Sequence, residues 1–172
     1  GGARNLEDVK KLLHAGADKV SINTSAVLNR EFVKQAAEKY GSSTIVIAVD
    51  AKNISDNKWE VFTHGGREAT GIDAIEYCQE VASLGAGEIL LTSMDRDGTK
   101  LGFDVDLLKR ITSKIYIPVI ASGGVGTLEH FSQGILQGGA NSVLAASVFH
   151  FGQLKIQDVK RYLADKNIPV RI

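Results

Sequence analysis

The chain has 172 residues, 44% of them hydrophobic and 23% charged, which suits a globular protein with a sizeable core. Twenty basic residues balance twenty acidic ones, so no overall basic field points to nucleic acid or to an anionic membrane, and no apolar run is long enough to span a bilayer. Cys78 is the only cysteine, which excludes an intrachain disulfide and a thiolate metal cluster and fits a reducing, cytoplasmic setting.

Gly1-Gly2 opens the sequence without a methionine, as in a chain that starts inside a domain. Leu6 to Ala15 is an amphipathic helix, with Val9, Leu12 and Leu13 on one face and Lys10 and Lys11 on another. Ala15-Gly16-Ala17 then ends it, because glycine adopts the left-handed conformation that stops a helix. Lys19 to Ile22 is a first apolar strand, and Asn23-Thr24 stands at its end. A helix over Glu31 to Lys39 leads to a strand over Thr44 to Val49, ended by Asp50-Ala51-Lys52.

Lys52 to Gly71 breaks this rhythm. A Ser55-Asp56-Asn57 turn, an alternating Trp59 to Thr63 and then Gly65-Gly66 read as a short hairpin excursion. A helix over Asp73 to Leu84 follows, with Cys78 on the face of Ile75 and Ala82, where it packs rather than reacts. The Leu84-Gly85-Ala86 joint precedes a strand over Glu88 to Leu91, whose end runs Thr92-Ser93-Met94-Asp95-Arg96-Asp97-Gly98-Thr99. Then come a helix over Val105 to Thr112, a strand over Ile115 to Ala121 ended by Ser122-Gly123-Gly124, and a helix over Leu128 to Leu136. Gly138-Gly139-Ala140 introduces the last strand, Ser142 to Ala145, which ends in Ala146-Ser147; Val148 to Phe151 reads as packing.

Short, continuous apolar strands alternating with amphipathic helices predict right-handed βα units and a buried parallel sheet. The expected class is α/β: a (βα)8 TIM-barrel family member forming one partial domain over residues 1–172, an incomplete barrel of about five parallel strands with flanking helices and a short β-hairpin insertion. The segment from Gly1 also echoes the segment from Gly123. Both run Gly-Gly, Leu-Glu, helix, Gly-Ala, strand and serine, with one residue inserted. A strand precedes the second copy, so one is expected before the first as well.

In such folds the chemistry lies at the C-terminal ends of the strands. Asp50 there can serve as general acid or base, or can cap a turn. Ser122-Gly123-Gly124 and Ala146-Ser147 form two adjacent strand ends of the kind that binds phosphate, because glycine lets backbone N–H groups approach an anion. The repeat then predicts a second phosphate site at Gly2, Asn23 and Thr24, hence a substrate with a phosphate at each end. Asp97 and Thr99 are candidates for hydrogen bonds to substrate; the Asp-x-Asp-Gly spacing lacks the acidic residue that a calcium loop needs. His14, His64, His130 and His150 lack ligand spacing, so no metal and no cofactor is expected.

The segments GADKVSINT, AVDAK, VFTHGGREATG, LLTSMDRDGTKLG, VIASGGVG and VLAASVFHFG resemble the cyclase subunit (HisF) family of imidazole glycerol phosphate synthase, in unbroken order over essentially the whole chain. The resemblance implies a lyase of histidine biosynthesis. It would join ammonia to a doubly phosphorylated ribulosyl aminoimidazole carboxamide ribonucleotide (PRFAR), giving imidazole glycerol phosphate and an aminoimidazole carboxamide ribotide (AICAR). Of the family's two acid–base aspartates it matches Asp50. It carries phosphate and substrate contacts onto Gly2, Asn23, Thr24, Thr92, Asp97, Gly98, Ser122, Gly124, Ala146 and Ser147. Lys19 and Glu88, at strand beginnings, would belong to a charged ring where ammonia enters from a glutaminase subunit (HisH) partner.

Two alternatives stay open. One is the sister isomerase of the same pathway, which acts on ProFAR; Phe62 to Gly66 and Ser93-Met94-Asp95 favour the cyclase. The other is a catalytically incomplete phosphate-binding barrel fragment. Five parallel strands cannot close a barrel, so the chain by itself is expected to be inactive and to self-associate through open edges.

Overall fold

The computed structural model describes residues 2–171; Gly1 of the opening glycine pair lies outside them. The helices are α1 (Leu6–His14), α2 (Thr24–Leu28), α3 (Arg30–Tyr40), α4 (Ala74–Ser83), α5 (Val105–Thr112), α6 (Leu128–Leu136), α7 (Ser147–His150) and α8 (Ile156–Asp165). The strands are β1 (Val20–Ile22), β2 (Ile45–Ser55), β3 (Lys58–Thr63), β4 (Glu68–Asp73), β5 (Glu88–Ser93), β6 (Val119–Ser122) and β7 (Ser142–Val143).

Helix boundaries follow local chemistry. The side chains of Asn5, Asn29, Asp73 and Asp104 each accept a backbone N–H of the first turn of α1, α3, α4 and α5. Thr127 and His130 form a reciprocal capping pair at α6. At the far end of α1, Gly16 has φ +100°. This lets Gly16 N–H reach Leu13 O at 3.0 Å and Ala17 N–H reach Leu12 O at 3.1 Å. Gly85 closes α4 in the same way.

The strands form one sheet in the order β4-β3-β2-β5-β6-β7, with β1 also paired to β2. Pairings of β1 with β2, β2 with β5, β5 with β6 and β6 with β7 are parallel, and those of β3 are antiparallel. The result is an α/β fold with a mostly parallel sheet and flanking helices, consistent with the TIM-barrel family, and the sheet does not close on itself. No helix among the described residues is long and apolar enough to cross a membrane.

One face of the parallel strands is fully buried: Ile45, Ile47 and Val49 of β2, Ile89 and Leu91 of β5, and Val119 and Ala121 of β6. These share a core with Val33, Tyr77, Val81, Leu107, Ile111 and Phe131 from the helices. Cys78 lies in that core, as expected, and burial pushes its thiol up to about 12. Burial also raises the Tyr77 hydroxyl, against the Arg30 guanidinium stacked 4.4 Å over its ring.

The structure corrects several expected boundaries. The strand over Ile115 to Ala121 shrinks to Val119–Ser122: Pro118 has no N–H to add to a ladder, and Tyr116 is wholly exposed. Ser142 to Ala145 shrinks to two residues before the chain turns toward α7. The hairpin is larger than expected, because β2 itself runs on to Ser55 and makes the first strand of a β2-β3-β4 meander. β1 pairs with Ile45 to Ile47 of β2, and β3 takes the same edge from Asp50 onward, so β1 ends at Ile22. α2, α7 and α8 lie outside the helices that the sequence pattern predicts. The repeat is real in three dimensions: Gly2 and Gly124 have φ of +96° and +100°, and the residues before α2 and α7 have φ of −117° and −111°.

Candidate functional site

Parallel pairing sets Asp50 beside Thr92, and Thr92 beside Ser122. Because side chains alternate along a strand, these three share the face opposite the buried core, all half-buried near where the parallel pairing ends. Thr92 therefore stands between the carboxylate and the Ser122 turn.

Asn23 follows β1, and its Nδ2 donates to Asp50 Oδ2 at 3.0 Å. This orients the amide, since the reversed rotamer would set oxygen against oxygen. Asn23 Oδ1 is left buried without a hydrogen-bond partner. Next to it, Thr24 Oγ1 accepts the backbone N–H of His64 at 3.1 Å. His64 sits in the β3–β4 turn with φ +54°, and its Nδ1 lies 3.0 Å from Glu68 Oε2. The meander thus docks on the end of β1. Gly2 has open space where a β-carbon would stand; Ser25 Oγ, which donates to Ala3 O at 2.9 Å, ties its loop to α2.

On the other side of the row, Asp97, Gly98, Ser122, Gly124, Ala146 and Ser147 line one cavity of about 170 Å³. Six residues expected to act together are gathered there from three loops. Two glycines make the gathering possible. A β-carbon on Gly123 would meet Ser93 O at 2.8 Å, and one on Gly124 would meet Gly102 O at 2.2 Å. Gly102 N–H donates to Gly124 O at 2.7 Å, so the loop after β5 lies directly on the loop after β6.

The Thr99 hydroxyl donates to Arg96 O at 2.7 Å and accepts Leu101 N–H at 3.2 Å, so it also serves the loop's own turn. Asp95 caps Asn53 N–H at 2.7 Å. At the opposite end of the strands, Lys19 Nζ lies 2.9 Å from Glu88 Oε2, with Lys19 half exposed and Glu88 largely covered.

Two contributors were missed. Lys100 lines the same cavity and reaches Gln153; its place beside Asp97-Gly98 was the available signal. Asp104 gathers Trp59 Nε1 at 3.0 Å and Ser93 Oγ at 3.3 Å while capping α5, which ties the meander to β5; nothing in the local sequence marks that. The arrangement can hold an anion on glycine-rich backbone at one end and exchange a proton at Asp50 near the other. Compared with known families, residues 1–155 match the family model described as histidine biosynthesis protein.

Proposed function

We propose that this chain, which belongs to the histidine biosynthesis protein family, carries the cyclase chemistry of that pathway on part of a (βα)8 barrel. Its substrate is the doubly phosphorylated PRFAR, its co-substrate ammonia, and its products imidazole glycerol phosphate and AICAR. Asp50 exchanges protons with the reacting atoms. One phosphate rests on Ser122, Gly124, Ala146 and Ser147 with Asp97 and Gly98 beside it. The other lies toward Gly2, Asn23 and Thr24, and Thr92 contacts the substrate between them.

The observation that carries this reading is the placement of Asp50, held by Asn23, between two turns related by the internal repeat. A carboxylate beside one anion-binding end, with Thr92 between it and the other, suits a substrate with a phosphate at each end. Lys19 and Glu88, paired at the opposite mouth of the strands, stand where the resemblance to the cyclase puts its ammonia entry. Only the cyclase needs ammonia delivered there from a glutaminase subunit.

The test uses an enzyme preparation that contains this chain and is competent in ammonia-dependent turnover. Asp50→Asn keeps the shape but cannot exchange a proton, so cyclisation should fall by about 100-fold or more while substrate affinity changes little. Near-full turnover removes Asp50 from the acid–base role. Turnover of ProFAR instead of PRFAR assigns the isomerase.

A further inference from the structure

The phosphate cavity has an electrostatic difficulty. Its lining includes the Asp97 carboxylate, which repels a phosphate dianion, and the chain carries no net charge to offset it. One lining residue is cationic, Lys100. Its backbone is unusual: φ is +60°, a left-handed conformation that a β-carbon disfavours. Gly126 accommodates it, since a β-carbon there would lie 2.7 Å from both Lys100 Cβ and Lys100 O. The loop therefore presses a strained lysine against the Ser122–Gly126 turn where a glycine or asparagine would sit at less cost.

The ammonium is not neutralised. Among the described residues Lys100 joins no ion pair; its Nζ donates to the neutral Gln153 Oε1 at 3.1 Å. Gln153 lies in the segment between α7 and α8, outside the residues that line the cavity. A neutral acceptor holds the charge without cancelling it. A phosphate in the adjacent cavity is the stronger acceptor, because a charge-assisted hydrogen bond exceeds one to an amide oxygen.

We propose that Lys100 supplies the positive charge for a phosphate bound in this cavity, and that Gln153 holds its ammonium at the rim until the anion arrives. The proposal rests on the phosphate-binding reading of the Ser122–Ser147 cavity and adds the residue that makes it selective for a dianion. It also gives the 151–155 segment a part in the site, as the point from which the lysine is released.

Inorganic phosphate is titrated into the 172-residue chain and followed by amide NMR at Ser122, Gly124, Ala146 and Ser147. Lys100→Met keeps the aliphatic stem and removes the charge; its Kd should rise roughly tenfold or more, while Lys100→Arg stays within about threefold. Gln153→Glu leaves Lys100 in place but offers it a carboxylate, so its Kd should rise too. A wild-type Kd in Lys100→Met, with the same four amides still shifting, overturns the role of Lys100 and leaves the cavity reading intact. An unchanged Kd in Gln153→Glu overturns the holding role. No shift at these amides in the unaltered chain removes the cavity reading and this inference together.

Discussion

Gly124→Ala tests whether the two strand-end loops are built on direct backbone contact. Gly124 has φ +100°, which costs an alanine about 1–2 kcal/mol. The new β-carbon would also sit 2.2 Å from Gly102 O and 2.9 Å from Arg96 Cβ, so the loops must separate. Separation breaks the 2.7 Å bond from Gly102 N–H to Gly124 O. Losing that bond in a buried setting adds about 1–3 kcal/mol. The sum is roughly 2–5 kcal/mol, or a Tm lower by about 5–15 °C for a chain of this size. Gly16→Ala is the control, with the same φ of +100° but nothing within 4 Å of its β-carbon. It should lose only the dihedral term, about 2–6 °C. Thermal unfolding by circular dichroism reads both. If Gly124→Ala loses no more Tm than Gly16→Ala, the loop contact is not what the geometry says.

Three further outcomes are expected. The folded Cys78 thiol keeps its proton to about 12 whereas the unfolded one releases it near 9.0, so the associated stability is complete below pH 9.0 and is lost as pH rises toward 12. Urea midpoints measured at pH 8 and pH 10.5 should fall less in Cys78→Ala than in the unaltered chain; equal falls exclude the thiol as a contributor. Asp104→Ala removes the α5 cap and strands the Trp59 indole N–H, at a combined cost of about 2–4 kcal/mol in urea unfolding followed by Trp59 fluorescence; a loss under about 0.5 kcal/mol contradicts the network. β1 and β7 each pair on one side only among the described residues. The chain should therefore associate, and light scattering that finds a compact monomer at micromolar concentration refutes edge pairing.

Much of this architecture was legible in the sequence because its causes are local. Gly16 and Gly85 follow their helices, so those stops are read along the chain; the caps Asn5, Asn29, Asp73 and Asp104 are equally local but come from the structure. The continuous apolar character of Ile45 to Val49 marks a buried strand, and the placement of Asp50, Thr92 and Ser122 just after apolar runs follows from counting residues. The internal repeat likewise points to two related turns.

Tertiary structure alone decided the rest. β2 runs past Asp50 because β3 lies beside it, whereas Ile115 to Ile117 stays out of the sheet beside Pro118 despite its apolar character. Asn23 meets Asp50 across 27 residues, and Lys100 meets Gln153 across 53. Such contacts depend on register and on loops laid over one another, which no window of sequence contains. A local pattern records what one segment needs buried or capped; which distant side chain meets it is set only when the sheet aligns the strand ends.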